Sequence, residues 1–185
     1  AIDKNGESFR QLVEQGTESE RGSMLASGAS FVSRIYANAT ATDELLMSVP
    51  SYQARGVFSS TVYRVNSRTG RNSLASLGGP DNALVWVASP NGTLRAALSN
   101  RDNVSRLHIR ESESAPWRVV YENKDEDYAK AITPLSLDAE GRLLVSAYNG
   151  SDMRGIFRLD VRQGSLKLEP LFSALAQDLN GSNLI

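Results

Sequence analysis

A chain of 185 residues, 41% hydrophobic and 22% charged, has a globular composition and the length of one domain or two small ones, which excludes disorder as the main description. Twenty Lys+Arg against 21 Asp+Glu leave a net charge of -1, so no global field draws the chain to nucleic acid or to an anionic membrane surface, and neither is expected as a partner. The absence of Cys excludes disulfides, thiolate metal sites and a cysteine nucleophile, while saying little about compartment.

No run approaches about 18 consecutive apolar residues. The opening Ala1-Ile2-Asp3-Lys4-Asn5-Gly6 lacks a basic-then-apolar layout, so a soluble chain is expected, its targeting segment absent or already removed. Arginine outnumbers lysine 16 to four, which reads as genome composition rather than function.

Taken in chain order, short alternating segments rich in Val, Ile, Leu, Tyr and Phe recur between Gly, Pro, Asn, Asp and Ser clusters, an all-β pattern with little helix. Ile2 through Leu12 reads as a third strand, turn and fourth strand, so residues 1–15 are expected to end one repeat unit. Residues 15–29 are rich in Gly, Ser and Glu and read as a long surface excursion. Three full units follow over residues 29–77, 83–121 and 132–172, with 178–185 opening another. An acidic linker is expected at 123–127, and a helical turn or two at 171–179.

The repeat rests on two sets of landmarks. Val62-Tyr63-Arg64-Val65, Arg106-Leu107-His108-Ile109 and Ile156-Phe157-Arg158-Leu159 share one alternation, a basic residue between apolar ones, and Tyr63, Leu107 and Phe157 stand 44 and 50 residues apart. One buried face and one wet face are expected. Leu46, Leu94 and Leu143 stand 48 and 49 residues apart, each after a turn-like segment: Thr42-Asp43-Glu44, Pro90-Asn91-Gly92 and Asp138-Ala139-Glu140-Gly141. In the clearest copy the strands run over 83–88, 93–99, 104–110 and 117–121. Four antiparallel strands at this period make a propeller blade. The expected fold is therefore an incomplete β-propeller, about three four-stranded antiparallel blades plus partial blades at the ends. Its open edges call for missing chain, the favoured case, for a homo-oligomer, or for an open curved stack with capped ends.

Trp86-Val87-Ala88-Ser89-Pro90-Asn91-Gly92 and Leu137-Asp138-Ala139-Glu140-Gly141-Arg142, with the third strands running into Thr69-Gly70 and Gln163-Gly164, resemble the strand-turn signature of peptidase and TolB-type propellers. Across nearly the whole chain the resemblance is to the N-terminal propeller region of bacterial prolyl oligopeptidase-like serine peptidases, the dipeptidyl and acylaminoacyl peptidase group. It implies a non-catalytic segment that gates peptide substrates on their way to an α/β-hydrolase domain not present in this chain. It also implies a periplasmic or secreted location. The alternative is a stand-alone TolB-like module that binds a protein or peptide.

The chemistry-bearing residues support no catalytic, cofactor-binding or metal assignment. A nucleophile elbow needs Gly-x-Ser-x-Gly, and Gly28-Ala29-Ser30 and Gly150-Ser151-Asp152 lack the second glycine. His108, the single histidine, lies mid-strand and is expected to be wet or paired across strands rather than a general base. Asp125-Glu126-Asp127, Asp138/Glu140 and Glu111/Glu113 carry oxygens a hard cation wants, but without EF-hand spacing they read as solvated loops. Neither Glu18/Glu20 nor Glu111/Glu113 matches the paired glutamates by which dipeptidyl peptidases hold a substrate amine. The sequons at Asn38, Asn91, Asn103 and Asn149 coincide with turns. Trp86 is expected in the core, Trp117 half exposed, and the aromatic residues dispersed.

Overall fold

The computed structural model describes residues 11–13, 25, 26, 28–52, 58–162 and 165–173. The Gln163-Gly164 turn and the segments expected at 1–15, 15–29 and 178–185 lie wholly or largely outside them.

Twelve strands are described, in three four-stranded sheets, each an antiparallel meander. The first holds β1 (Ser30–Ala37), β2 (Thr40–Tyr52), β3 (Phe58–Asn66) and β4 (Asn72–Leu74). The second holds β5 (Ala83–Ala88), β6 (Leu94–Arg101), β7 (Val104–Ile109) and β8 (Arg118–Lys124). The third holds β9 (Ile132–Leu137), β10 (Leu143–Ala147), β11 (Gly155–Arg162) and β12 (Ser165–Ser173). The fold class is all-β, and each four-stranded antiparallel meander has the strand set and order of one propeller blade. Among the described residues the one helical piece is a 3₁₀ turn, Tyr128–Lys130, and no helix is long and apolar enough to cross a membrane.

Turn chemistry sets the hairpins. The two-residue loops Asn38-Ala39 (φ 48° and 63°) and Asp102-Asn103 (φ 54° and 58°) have both central residues in the left-handed region, as a type I′ turn requires. That backbone follows the right-handed twist of the flanking strands. Asn149 and Gly150 also have positive φ, 48° and 82°, and Gly92 follows Asn91 at 84°, so the sequons at Asn38, Asn91, Asn103 and Asn149 sit on turns. Two prolines fall where a missing N–H is harmless: Pro134 and Pro170 lie on the sheet-edge strands β9 and β12, each beside a register shift.

The leucine landmarks fall in the second strand of each sheet, but not at one register. β2 has 13 residues against eight in β6 and five in β10, so Leu46 sits mid-strand where Leu94 and Leu143 are first residues. Thr42-Asp43-Glu44 is accordingly not a turn. It lies inside β2, where the pairing with β1 shifts between Arg34 and Tyr36, and Thr42 Oγ1 donates to the Ile35 carbonyl at 2.8 Å. The 171–179 helix is also overturned in its described part, since β12 extends through Ser173.

The fold divides into two compact units, Ala1–Gly79 with Pro90–Thr93, and Pro80–Ser89 with Leu94–Ile185. In the first, Met47 and Val65 pack with Leu25, flanked by Leu45, Val49 and Tyr63. Val13 and Leu25 form an isolated parallel bridge beside them. In the second, one core joins both sheets: Val87, Ala96 and Leu107 meet Ile132, Leu143, Val145, Phe157 and Leu159. Burial of each large aliphatic chain stabilises by about 1.5–3 kcal/mol. The expectation of one wet face is corrected, because Val62 is fully buried on the face of Arg64 and Ile156 is buried on the face of Arg158.

Candidate functional site

Inside the second unit, a cleft of about 280 Å³ opens where β6 begins, β7 ends, β8 begins and the β9–β10 turn returns. Its polar lining is Arg95, Arg110, Glu111, Arg118 and Arg142. Its apolar wall is Ala96, Ile109, Leu137, Leu143 and Leu159, the outer rim of the core just described.

Each arginine is held differently. Arg110 is buried, at 8% exposure. Its Nε donates to the Leu94 carbonyl at 2.7 Å, its Nη1 donates to the Glu113 carbonyl at 3.0 Å, and its guanidinium lies 4.7 Å from the Trp117 ring centroid. Burial pulls its pKa down and Glu113 opposes this, while the high intrinsic pKa of guanidinium keeps it cationic at neutral pH. Arg95 and Arg110 lock each other in place: the Arg110 amide donates to the Arg95 carbonyl at 3.0 Å, and Arg95 Nε donates to the Arg110 carbonyl at 2.8 Å. Arg118 stands 3.9 Å from Glu111, too far for a hydrogen bond.

Arg142 is consumed by carboxylates, Asp138 at 2.9 Å and Glu140 at 2.7 Å. Asp138 also takes Arg158 Nε at 3.0 Å and the Arg142 amide at 2.8 Å. Burial works against ionisation of Asp138, but the Arg142 amide and the two guanidiniums outweigh it and hold the carboxyl at about 2. The site therefore carries three cations, Arg95, Arg110 and Arg118, met among the described residues by Glu111 at 3.9 Å from Arg118 and by the charge of Glu113 acting on Arg110. Electrostatics of this kind suit a small anionic group with an apolar attachment.

The other sequence candidates resolve into structural pairs. His108 Nε2 lies 2.8 Å from Ser99 Oγ on the neighbouring strand. Burial, then Arg106, lowers its pKa. Ser99 is itself buried, so the dyad is a cross-strand pair, one of the two arrangements expected for His108. Asp125 accepts from Asn100 Nδ2 at 2.6 Å and Ser105 Oγ at 2.8 Å, and Asp127 takes Lys130 at 2.7 Å. The 123–127 segment is thus not simply a solvated linker: Asn123 is buried and donates to the Asp127 carbonyl at 3.1 Å. Glu111 and Glu113 are exposed, and of the two Glu111 lines the cleft. Ser30 and Ser151 are exposed in a strand and a bend. Among the described residues no three His, Cys, Asp or Glu side chains gather as a metal site. Glu18 and Glu20 lie outside the described residues.

Sequence reasoning missed the arginines. Read one by one they look like a compositional excess, and they lie 47 residues apart at the extremes, from Arg95 to Arg142. A signal was present in Gly92-Thr93-Leu94-Arg95 and Gly141-Arg142-Leu143, where a turn glycine precedes an arginine beside the landmark leucine. The aromatic residues are also less dispersed than expected. Trp86 is buried, and Trp117 meets it edge to face at 6.0 Å and 73°.

No protein-family model and no curated protein matches the chain. Among solved structures it is similar to the β-propeller domain of the Trilobed protease from Pyrococcus furiosus, which is described as having an open velcro topology. The identity is 14% and the TM-score 0.49, over 80% of this chain and 44% of that one. The chain thus spans less than half the length of that structure.

Proposed function

We propose that the chain is a non-catalytic β-propeller segment of a serine peptidase, shaping or gating the route of peptides to an α/β-hydrolase domain carried elsewhere in the polypeptide. What carries the reading is the run of three successive four-stranded meanders, built on the strand-turn segments that resemble the peptidase propellers. In such a role blades act by rigidity, excluding large substrates by size. His108 supports a non-catalytic part, since its Nε2 is engaged by a buried serine. Detection of the native polypeptide in its source cells with an antibody raised against this chain tests the reading. A product of several hundred residues, with a nucleophile elbow, acid and histidine in the additional sequence, is the expected result. The chain alone should resist fluorophosphonate labelling. A native product near 20 kDa would overturn the peptidase assignment.

A second reading, a TolB-like module that binds a protein or peptide, is favoured by the arginine-lined cleft, because two guanidiniums preset by carbonyls, with a third beside them, are a feature of recognition rather than of core packing.

A further inference from the structure

We propose that the cleft of the second unit is a carboxylate-binding site for a peptide, with Arg95, Arg110 and Arg118 as the anion-reading groups. This deepens the peptide-binding reading, on which it rests, and stands without the peptidase one.

The argument begins with donors. Arg142 has spent its charge on Asp138 and Glu140. Arg95 uses only Nε, on a carbonyl oxygen, so both of its Nη groups have no partner among the described residues. Arg110 uses Nε and Nη1 on carbonyls, which orients the guanidinium without neutralising it. Arg118 has only a 3.9 Å approach to Glu111. Cations fixed by carbonyls and by the face of Trp117 lose little freedom when an anion arrives, which is the condition for tight bidentate recognition.

The wall selects the anion. About half the lining is aliphatic, including Ile109, Leu137 and Leu159, so the ligand has an apolar body joined to its charge. A free phosphate has none. A nucleic-acid backbone needs a continued basic track, whereas Glu111 lines this cleft and Glu140 neutralises Arg142 on its wall, which breaks such a track. About 280 Å³ is at the small end of ligand sites and suits a residue or two. The carboxylate belongs to either a peptide C-terminus or an acidic side chain.

Calorimetric titration of the full chain at low salt distinguishes these. The probes are N-acetyl-alanyl-leucine as free acid, the same dipeptide as C-terminal amide, N-acetyl-glutamyl-leucine amide, inorganic phosphate and a single-stranded oligonucleotide. The free acid is expected to bind at least tenfold more tightly than its neutral amide, and R95Q is expected to weaken it at least tenfold with an unchanged melting temperature. Should R95Q fail to fold, R118Q carries the same test on an exposed residue. Equal or tighter binding of the glutamyl amide assigns the carboxylate to a side chain; weak binding of it assigns the terminus. The proposal is overturned if neither carboxylate peptide outcompetes the neutral amide, if both arginine variants bind like the parent, or if phosphate or the oligonucleotide alone binds. A native mass near 20 kDa would remove the peptidase reading and leave this result standing.

Discussion

Ala39 is a residue out of keeping with its backbone. Its φ of 63° brings Cβ against the following carbonyl, a cost of about 1–2 kcal/mol that asparagine tolerates better and glycine does not incur. The neighbouring Asn38 and the corresponding Asp102-Asn103 pair carry residue types suited to the left-handed region. Ala39→Gly removes the strain and loosens the unfolded chain, an opposing effect of about 0.4–1 kcal/mol. A net gain of about 0.5–1 kcal/mol is expected, read as a higher urea midpoint at constant slope. An unchanged or lower midpoint would contradict a type I′ turn at this position. Gly92 shows the reverse case, because a Cβ there would lie 2.8 Å from Ile35 Cδ1 at a φ of 84°, so glycine is required by both space and backbone.

Between elements, Asp138 fastens the β9–β10 turn to β11 through Arg142 and Arg158. Asp138→Asn is expected to cost about 1–2 kcal/mol at pH 7, as charge-assisted bonds are weakened. The folded carboxyl titrates at about 2, below the ordinary 3.8, so the unfolded chain takes up the proton first. Its stabilisation is complete above about pH 5 and drains away as pH falls through the folded value of about 2. Urea midpoints of parent and variant should therefore converge across that window, and a gap that stays constant would refute the linkage. The strands and hairpins were legible in the sequence because alternation and turn chemistry are local: the expected span 83–88 coincides with β5, and Gly70 takes its positive φ of 74° after Thr69. Thr42-Asp43-Glu44 misleads because its turn-like residues occupy a register shift that only the pairing with β1 creates. The cleft was illegible for a related reason. Arg95, Arg110, Arg118 and Arg142 come from four separate strand ends, and only the packing of two sheets gathers them.

For the whole molecule, an edge strand of a sheet is a template for pairing with another chain wherever its ladder groups stay open. β4 is blunted by its three-residue length, and β12 by Pro170. Among the described residues the edge strand β1 is tied by one bond, the Tyr36 amide donating to the Pro90 carbonyl at 2.8 Å, and Phe31 near its start is 65% exposed. Self-association through this edge is expected: light scattering should give a mass above the 20.1 kDa monomer, and Phe31→Lys should lower it. A monomer at high concentration would rule that edge out as sticky. The edge-to-face contact of Trp86 with Trp117 has an optical consequence as well. Both tryptophans of the chain belong to the second unit, so the first is silent in indole fluorescence while the circular dichroism of strands sums over both. Followed together through a thermal melt, emission reports the arginine-bearing unit by itself. Coincident midpoints would mean that the two units unfold as one cooperative body, and separated ones that each carries its own stability.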